Sequence, residues 1–446
     1  MPQVRSRIRR PAPVSEGLQQ IGERIRKARV EAGLSQGQLG APHFTRAYIS
    51  AIELGKVRPA MKSLEFLAEK LGKPAAFFME DADAERRRQE RAATIARSSQ
   101  LVAEGKAAEA IDMLEPLLAG ASGAAERAQL QRALGRAYVQ AAKPAQAVSV
   151  LDAALRHFVD ANDADQIART RVQLGSALLE LRSYAEAQAA LESALSFMSQ
   201  SRVKDPLLKA HAIYNLGISF YMRGDFKAAA HQFERAEREG ADAADTRWQA
   251  GLYAGIGMSY LELRDYEAAV NYLRRSEALF EAINNHSRAI EARLRAALSL
   301  RGLGQIAKAN ELLENAYLEA TRLQAERLAI EIRSHQGMYW AQEGRTAEGI
   351  QVASESAERA RALGDPLLVI ATQLHLARAL RLSDPARAEK ILRAVVNDAN
   401  PETGLPYGDV LAELSEVLSE RGLAEEALRY SKLAFAATRK KYGGGE

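Results

Sequence analysis

Cysteine is missing from all 446 residues, which excludes disulfide frameworks, thiolate zinc sites and cysteine nucleophiles and suits a reducing compartment. No stretch approaches the roughly 18 unbroken apolar residues of a membrane span. The start, MPQVRSRIRRPAP, lacks the apolar core of a secretory signal. A soluble cytoplasmic protein with no membrane partner is expected. The motifs G-x-x-x-x-G-K-[ST], G-x-S-x-G and H-E-x-x-H are also missing, and the seven histidines contain no i,i+4 pair for a metal. Gly255-Ile256-Gly257 lies inside a helical pattern, out of context for dinucleotide binding. Glu234, Glu237 and Glu239 read as a solvated helix face. These absences leave no expectation of catalysis, metal or cofactor.

Aromatic residues are scarce at 6%, yet 47% of the chain is apolar, enough to bury cores for about two to four domains. The formal charge of +4 hides an asymmetry. Residues 1–80 hold 14 Lys+Arg against 7 Asp+Glu, leaving 47 against 50 for the remainder. A basic head on a near-neutral body fits a nucleic-acid-binding module joined to a partner-sensing one.

Along the chain, residues 1–14 combine four arginines with three prolines and read as a basic flexible arm. From Ser15 to Met79, apolar residues recur at helical spacing, interrupted at Gly33, Pro42, Gly55, Pro59 and Gly72. This predicts short helices near Ser15–Ala32, Gln36–Ala41, Arg46–Leu54 and Met61–Leu71. Ser35 and Thr45 serve as N-caps, and Gly33 stops the first helix. A charged segment over 81–94 reads as a linker helix, residues 95–442 as one repetitive domain, and 443–446 as a flexible tail.

The repetition has a fixed period. Small residues recur at Ser98, Gly135, Gly175, Gly217, Gly257, Ala297, Gly337, Ala377 and Ser415, at intervals of 37 to 42 and mostly 40. About twelve residues after each comes a second small residue, from Ala110 and Ala147 to Ala388 and Ala427. Two antiparallel helices crossing closely need small residues at both places. Leu151, Leu191, Phe233 and Leu273 follow four residues later on the same face. Each unit is a helical hairpin that cannot bury its apolar face alone, so the units must stack.

The order L-G-x-x-[YF]…A-x-x-x-[FL]-x-x-A, clearest from Asn215-Leu216-Gly217 to Ala236, resembles the tetratricopeptide repeat, although the period of 40 exceeds that family's 34. The expected fold is all-α: a small helix-turn-helix bundle followed by a right-handed α-solenoid of about nine hairpins. The resemblance implies a groove lined by first helices that holds an extended peptide or a partner's tail. Repeat register places Gln173, His211, Asn215, Tyr221, Arg295, Arg301, His335, His375, Arg378 and Arg381 there. Asn215 stands where the family often carries a backbone-clamping Asn, whose amide can donate and accept at one peptide unit.

The head, with Ile21-Gly22-Glu23-Arg24-Ile25, Gly33-Leu34-Ser35-Gln36, Thr45 to Lys56, and Leu64-Glu65-Phe66-Leu67-Ala68, resembles the helix-turn-helix domain of phage Cro and C1 repressors (the XRE family), over residues 15–80. That resemblance puts Arg46, Ala47, Ser50 and Ala51 at base edges and Gln36, Lys56 and Arg58 at phosphates of double-stranded DNA. The segment between Ser35 and Thr45 is one residue shorter than usual and contains Pro42, so the turn between the two helices must differ.

The combination resembles the peptide-responsive regulators of bacterial quorum sensing. It implies a homodimeric DNA-binding transcriptional regulator whose groove takes a peptide or protein effector, with ligand changing the spacing of heads on two half-sites about 34 Å apart. The alternative is an interaction scaffold, or a response-regulator-binding protein, whose head does not read DNA.

Overall fold

A computed structural model describes residues 16–79, 82–121, 123–201, 203–240, 245–398 and 405–442. Among these there are helices and turns but no strand. The expected arm (1–14) and tail (443–446) lie outside the described residues. Contacts divide the chain into two compact units, residues 1–120 and 121–446.

The first unit opens with five helices: α1 (Glu16–Glu31), α2 (Gln36–Gly40), α3 (Arg46–Glu53), α4 (Met61–Lys70) and α5 (Ala75–Met79). Ile25, Leu39, Ile49, Ile52, Leu67 and Phe78 form their core. Ser35 and Gln38 make a reciprocal capping box at the start of α2, satisfying two otherwise orphaned N–H groups. The unusual turn that follows is held from α4, where the Lys70 ammonium donates to the Gln38 carbonyl at 2.6 Å and also to that of Ala41. Two further helices, α6 (Ala82–Ala103) and α7 (Ala107–Ala119), make the first hairpin. Of the expected linker, 81–94, residues 82–94 run without a break into that hairpin as part of α6, and residue 81 lies outside the described residues.

The second unit is a succession of hairpins: α8 (Ala124–Gln140) with α9 (Pro144–Asp160), α10 (Ala164–Glu180) with α11 (Tyr184–Gln200), and α12 (Pro206–Arg223) with α13 (Phe226–Gly240). It continues with α14 (Thr246–Glu262) and α15 (Tyr266–Ala282), α16 (His286–Gly302) and α17 (Ile306–Arg322), and α18 (Glu326–Gln342) and α19 (Thr346–Leu363). It ends with α20 (Pro366–Leu380) and α21 (Pro385–Asp398), then α22 (Leu405–Glu420) and α23 (Ala424–Tyr442). The spacing of small residues therefore identifies every hairpin.

Their role is steric. A Cβ on Gly217 would lie 2.7 Å from the Phe233 ring, and one on Gly337 would lie 2.6 Å from the Ala353 backbone nitrogen and 2.8 Å from the Gly349 carbonyl. At Gly349 the obstruction is again backbone, that of Ala341 and Gly337. Helices α18 and α19 thus cross backbone to backbone, whereas α12 and α13 cross through a side chain, the Phe233 ring. Gly349→Ala should cost about 1–3 kcal/mol through overpacking, and Gly217→Ala clearly less. Urea unfolding midpoints of the two variants check this.

Candidate nucleic-acid interface and repeat groove

In the head, Thr45 caps α3 by accepting the Tyr48 N–H at 3.2 Å. Ile49 and Ile52 are buried, so the opposite face of the helix points outward. Arg46 and Ala47 are exposed on it, Ser50 and Ala51 are half-buried beside it, and Lys56 and Arg58 are exposed just beyond it.

The only carboxylate of α3 is turned the other way. Arg29 of α1 grips Glu53 with two hydrogen bonds, from Nε at 2.6 Å and Nη2 at 3.1 Å, while its Nη1 donates to the Leu34 carbonyl at 2.8 Å. The hydrogen-bonded Glu53 carboxylate raises the pKa of the Arg29 guanidinium. Gln36 Nε2 donates to Glu53 Oε2 at 2.8 Å, so the side chain expected at a phosphate is instead joined to this buried pair. A Cβ on Gly22 would lie 2.7 Å from the Glu53 carbonyl, which is why α1 needs glycine where it rests on the end of α3. The result is an outward helix face with the charge of Arg46 and no carboxylate to oppose it.

In the repeats, the expected groove residues divide into three groups. Tyr221 and Arg295 line a cleft of about 670 Å³ formed by α12, α14, α16 and α18. Tyr214, Met222 and Met258 contribute apolar surface to it, and Arg247, Arg288 and Arg327 add charge. Burial pushes the Tyr221 hydroxyl upward in pKa, and Arg295 donates to Glu331 at 2.8 Å. Asn215 lines an adjoining cleft of about 300 Å³, where its Nδ2 donates to Ser176 Oγ at 2.7 Å. Gln173 and His211 are half-buried on neighbouring helices. Gln173 Oε1 is buried without a donor, and the His211 ring lies 5.7 Å from that of Trp248.

His335 and His375 are not open to an occupant. Both are buried, their ring centroids are 4.1 Å apart, and Ser334 Oγ sits 2.9 Å from His375 Nδ1. Repeat register puts them on α18 and α20, but it could not reveal that these two helices close on each other. Arg301, Arg378 and Arg381 are committed to cross-hairpin ion pairs: Arg301 with Glu343, Arg378 with Glu413 at 2.8 Å, and Arg381 with Glu413, Glu416 and Glu420. Sequence reasoning missed the floor of the cleft that Tyr221 and Arg295 line. Its signal was Gly251, Ala254 and Gly255, a small-residue face on α14 that leaves room between α12 and α16.

Residues 25–78 match a helix-turn-helix family model, and residues 166–238 and 250–282 match tetratricopeptide-repeat models. Residues 25–78 are a helix-turn-helix domain, and tetratricopeptide repeats follow it. No curated protein matches it. Among solved structures, a Rap protein complexed with competence and sporulation factor has a TM-score of 0.55 at 12% identity, covering 79% of this chain and 99% of that one. Aspartyl phosphate phosphatase F from Bacillus subtilis gives 0.52 at 13%, covering 80% and 96%. PlcR from Bacillus thuringiensis, in complex with the peptide PapR7 and DNA, gives 0.46 at 19%, covering 61% and 99%. At these identities the first two establish a shared fold of the repeats.

Two predictions follow from this geometry. Glu53→Ala leaves the half-buried Arg29 guanidinium without its carboxylate and should destabilise the helix-turn-helix domain by about 1–3 kcal/mol; hydrogen exchange across residues 25–78 reads the loss. Burial, with Arg295 and Arg378 nearby, lowers the pKa of His335 to about 3, and burial beside His335 lowers that of His375 well below its usual value. Burial favours the neutral form of both when folded, and both titrate near 6.5 when unfolded, so the contribution of each is complete above about pH 6.5 and is lost as the pH falls below it, for His335 down to about 3. The thermal midpoint should therefore fall less between pH 7 and 4 in His335→Gln/His375→Gln than in the parent.

Proposed function

We propose that this protein is a DNA-binding transcriptional regulator of the cytoplasm, homodimeric on its operator, whose repeat cleft takes a peptide effector that controls operator binding. The observation that carries this reading is the outward face of α3, with Arg46 exposed and Glu53 withdrawn by Arg29, in a domain that matches the helix-turn-helix family. An unopposed Arg at the N-terminal end of a recognition helix suits a bidentate contact to guanine, and Ala47 and Ala51 suit a thymine methyl. Lys56 and Arg58 supply phosphate contacts that fix register.

For the effector, the cleft between α12 and α16 pairs aromatic and methionine surface with Arg247, Arg288, Arg295 and Arg327, against Glu291 and Glu331. Arg247 has no ion-pair partner among the described residues. An apolar peptide with an acidic group matches this lining, with Asn215 available at a peptide bond next to it. A repeat fold shared with a Rap protein complexed with competence and sporulation factor supports a signalling ligand. No part of this mechanism calls for catalysis, metal or cofactor.

The test is selection of bound sequences from a random duplex pool by the full chain, followed by affinity measurements on the enriched site. An inverted repeat is expected. Arg46→Ala should weaken binding by about 1–3 kcal/mol and relax one position of the site, while Lys56→Ala and Arg58→Ala should weaken all sequences alike and each lower the salt slope by about one. If no motif is enriched at low salt, the regulator reading fails and the repeats are an interaction scaffold.

A further inference from the structure

One hairpin departs from the others at its turn. Between its small-residue markers, Ala377 and Ala388, the spacing is 11 residues, whereas it is 12 in every other unit. The missing residue is the one with left-handed backbone. Every other hairpin turn contains one, such as Gly224 at φ 82°, Arg264 at 62° or Gly344 at 94°, but Arg381–Asp384 has none. Here Ser383 and Asp384 both donate to the Leu380 carbonyl, at 3.0 and 2.7 Å. Asp384 then caps α21 by accepting the Arg387 N–H at 3.0 Å.

At this hairpin a cleft of about 970 Å³ opens between α19, α20 and α21, away from the residues lining the cleft described above. Val369, Ile370, Leu376, Ile391 and Val395 give it an apolar floor. Set in that floor is Gln373, 3% exposed, whose amide nitrogen is buried without an acceptor. A buried donor left unmet costs about 1–3 kcal/mol, so an occupant that supplies an acceptor is favoured.

Charge gives the cleft two ends. Arg387 and Lys390 stand on the first half of α21 with no ion pair among the described residues, although Arg393 on the same helix is paired with Glu389 and Glu426. At the other end the lining holds Arg361, Glu358 and Asp398. From Lys390 to Asp398 the helix advances about 12 Å at 1.5 Å per residue. One end is therefore purely cationic, the middle is apolar, and the far end holds more acid than base.

We propose that this cleft is a second ligand site, for a medium-chain monocarboxylate: the chain lies along the floor, and the carboxylate meets Arg387 and Lys390 and accepts from Gln373. The size falls within the range of small-molecule pockets, and the few convergent polar groups are of the kind that orient a ligand. A dicarboxylate of equal length is disfavoured because its second charge would meet Glu358 and Asp398.

The test is isothermal titration of the full chain with sodium decanoate, with decanedioate, decylamine and anionic phospholipid vesicles as comparators. Saturable one-to-one binding of decanoate is expected, with decanedioate weaker and decylamine silent. Arg387→Glu/Lys390→Glu should weaken decanoate at least about tenfold. Ala394→Trp, at an exposed position lining the cleft, should block it, with thermal midpoints confirming that both variants fold. The proposal is overturned if decanoate does not saturate by about 1 mM, if the substitutions leave its binding unchanged, if decylamine binds equally, or if only the vesicles bind.

Discussion

The repeats depend on the contact distance where the two helices of a hairpin cross. At Gly337 and Gly349 no atom separates the two backbones, and at Gly217 and Gly257 the space a Cβ would need is filled by Phe233 or Leu273. Such crossings let long helices bury Ala and Leu faces fully, so a chain poor in aromatic residues still builds a continuous core. They also make the period visible: a residue type forbidden by sterics at one point per hairpin becomes a mark every 40 residues or so. Stability then accumulates from neighbouring units, as expected of a quasi-one-dimensional array.

Polar side chains carry the joins between hairpins. Arg293 binds Glu277, Glu281 and Glu319, Arg295 and Arg327 share Glu331, and Arg381 gathers three glutamates of α22. Most of these partners are largely withdrawn from solvent, Arg293 at 11% and Glu413 at 6% exposure, so the pairs are screened less than open surface pairs and tie neighbouring helices together. A charged residue facing the groove is therefore more often a strut than a contact for a ligand. Arg247, Arg387 and Lys390 are exceptions, and each lines a cleft.

This division explains what could be read in advance. The head was legible because capping and breaking are local: Ser35, Thr45, Gly33 and Gly55 mark helix ends by their own chemistry. The hairpins were legible because their steric requirement repeats. The roles of His335, His375, Arg301, Arg378 and Arg381 were not, because register says which helix face a residue occupies but not how far away the next hairpin stands. That distance is set by the far side of the neighbouring helix. Gln36 shows the same limit in the head, since its partner Glu53 lies 17 positions away in sequence. The short spacing from Ala377 to Ala388 was visible as an irregularity, but the cleft beside that hairpin is lined from three helices and shows only when they are placed together.

The unequal spacing of first helices bears on how the proposed effector would act. Between α18 and α20 the histidine rings and Ser334 lock one joint, while between α12 and α16 the small-residue face of α14 leaves a cleft whose walls belong to separate hairpins. A ligand bound there touches several hairpins at once, so its affinity depends on their mutual angle. It shifts that angle only by the difference in its affinity for the alternatives. If the α18–α20 joint moves as a unit, a change of angle at the open joint would be passed on to the hairpins beyond it. A peptide contacting one hairpin alone, however tightly bound, would have no such leverage, and on this argument the cleft rather than any single groove residue is the regulatory element.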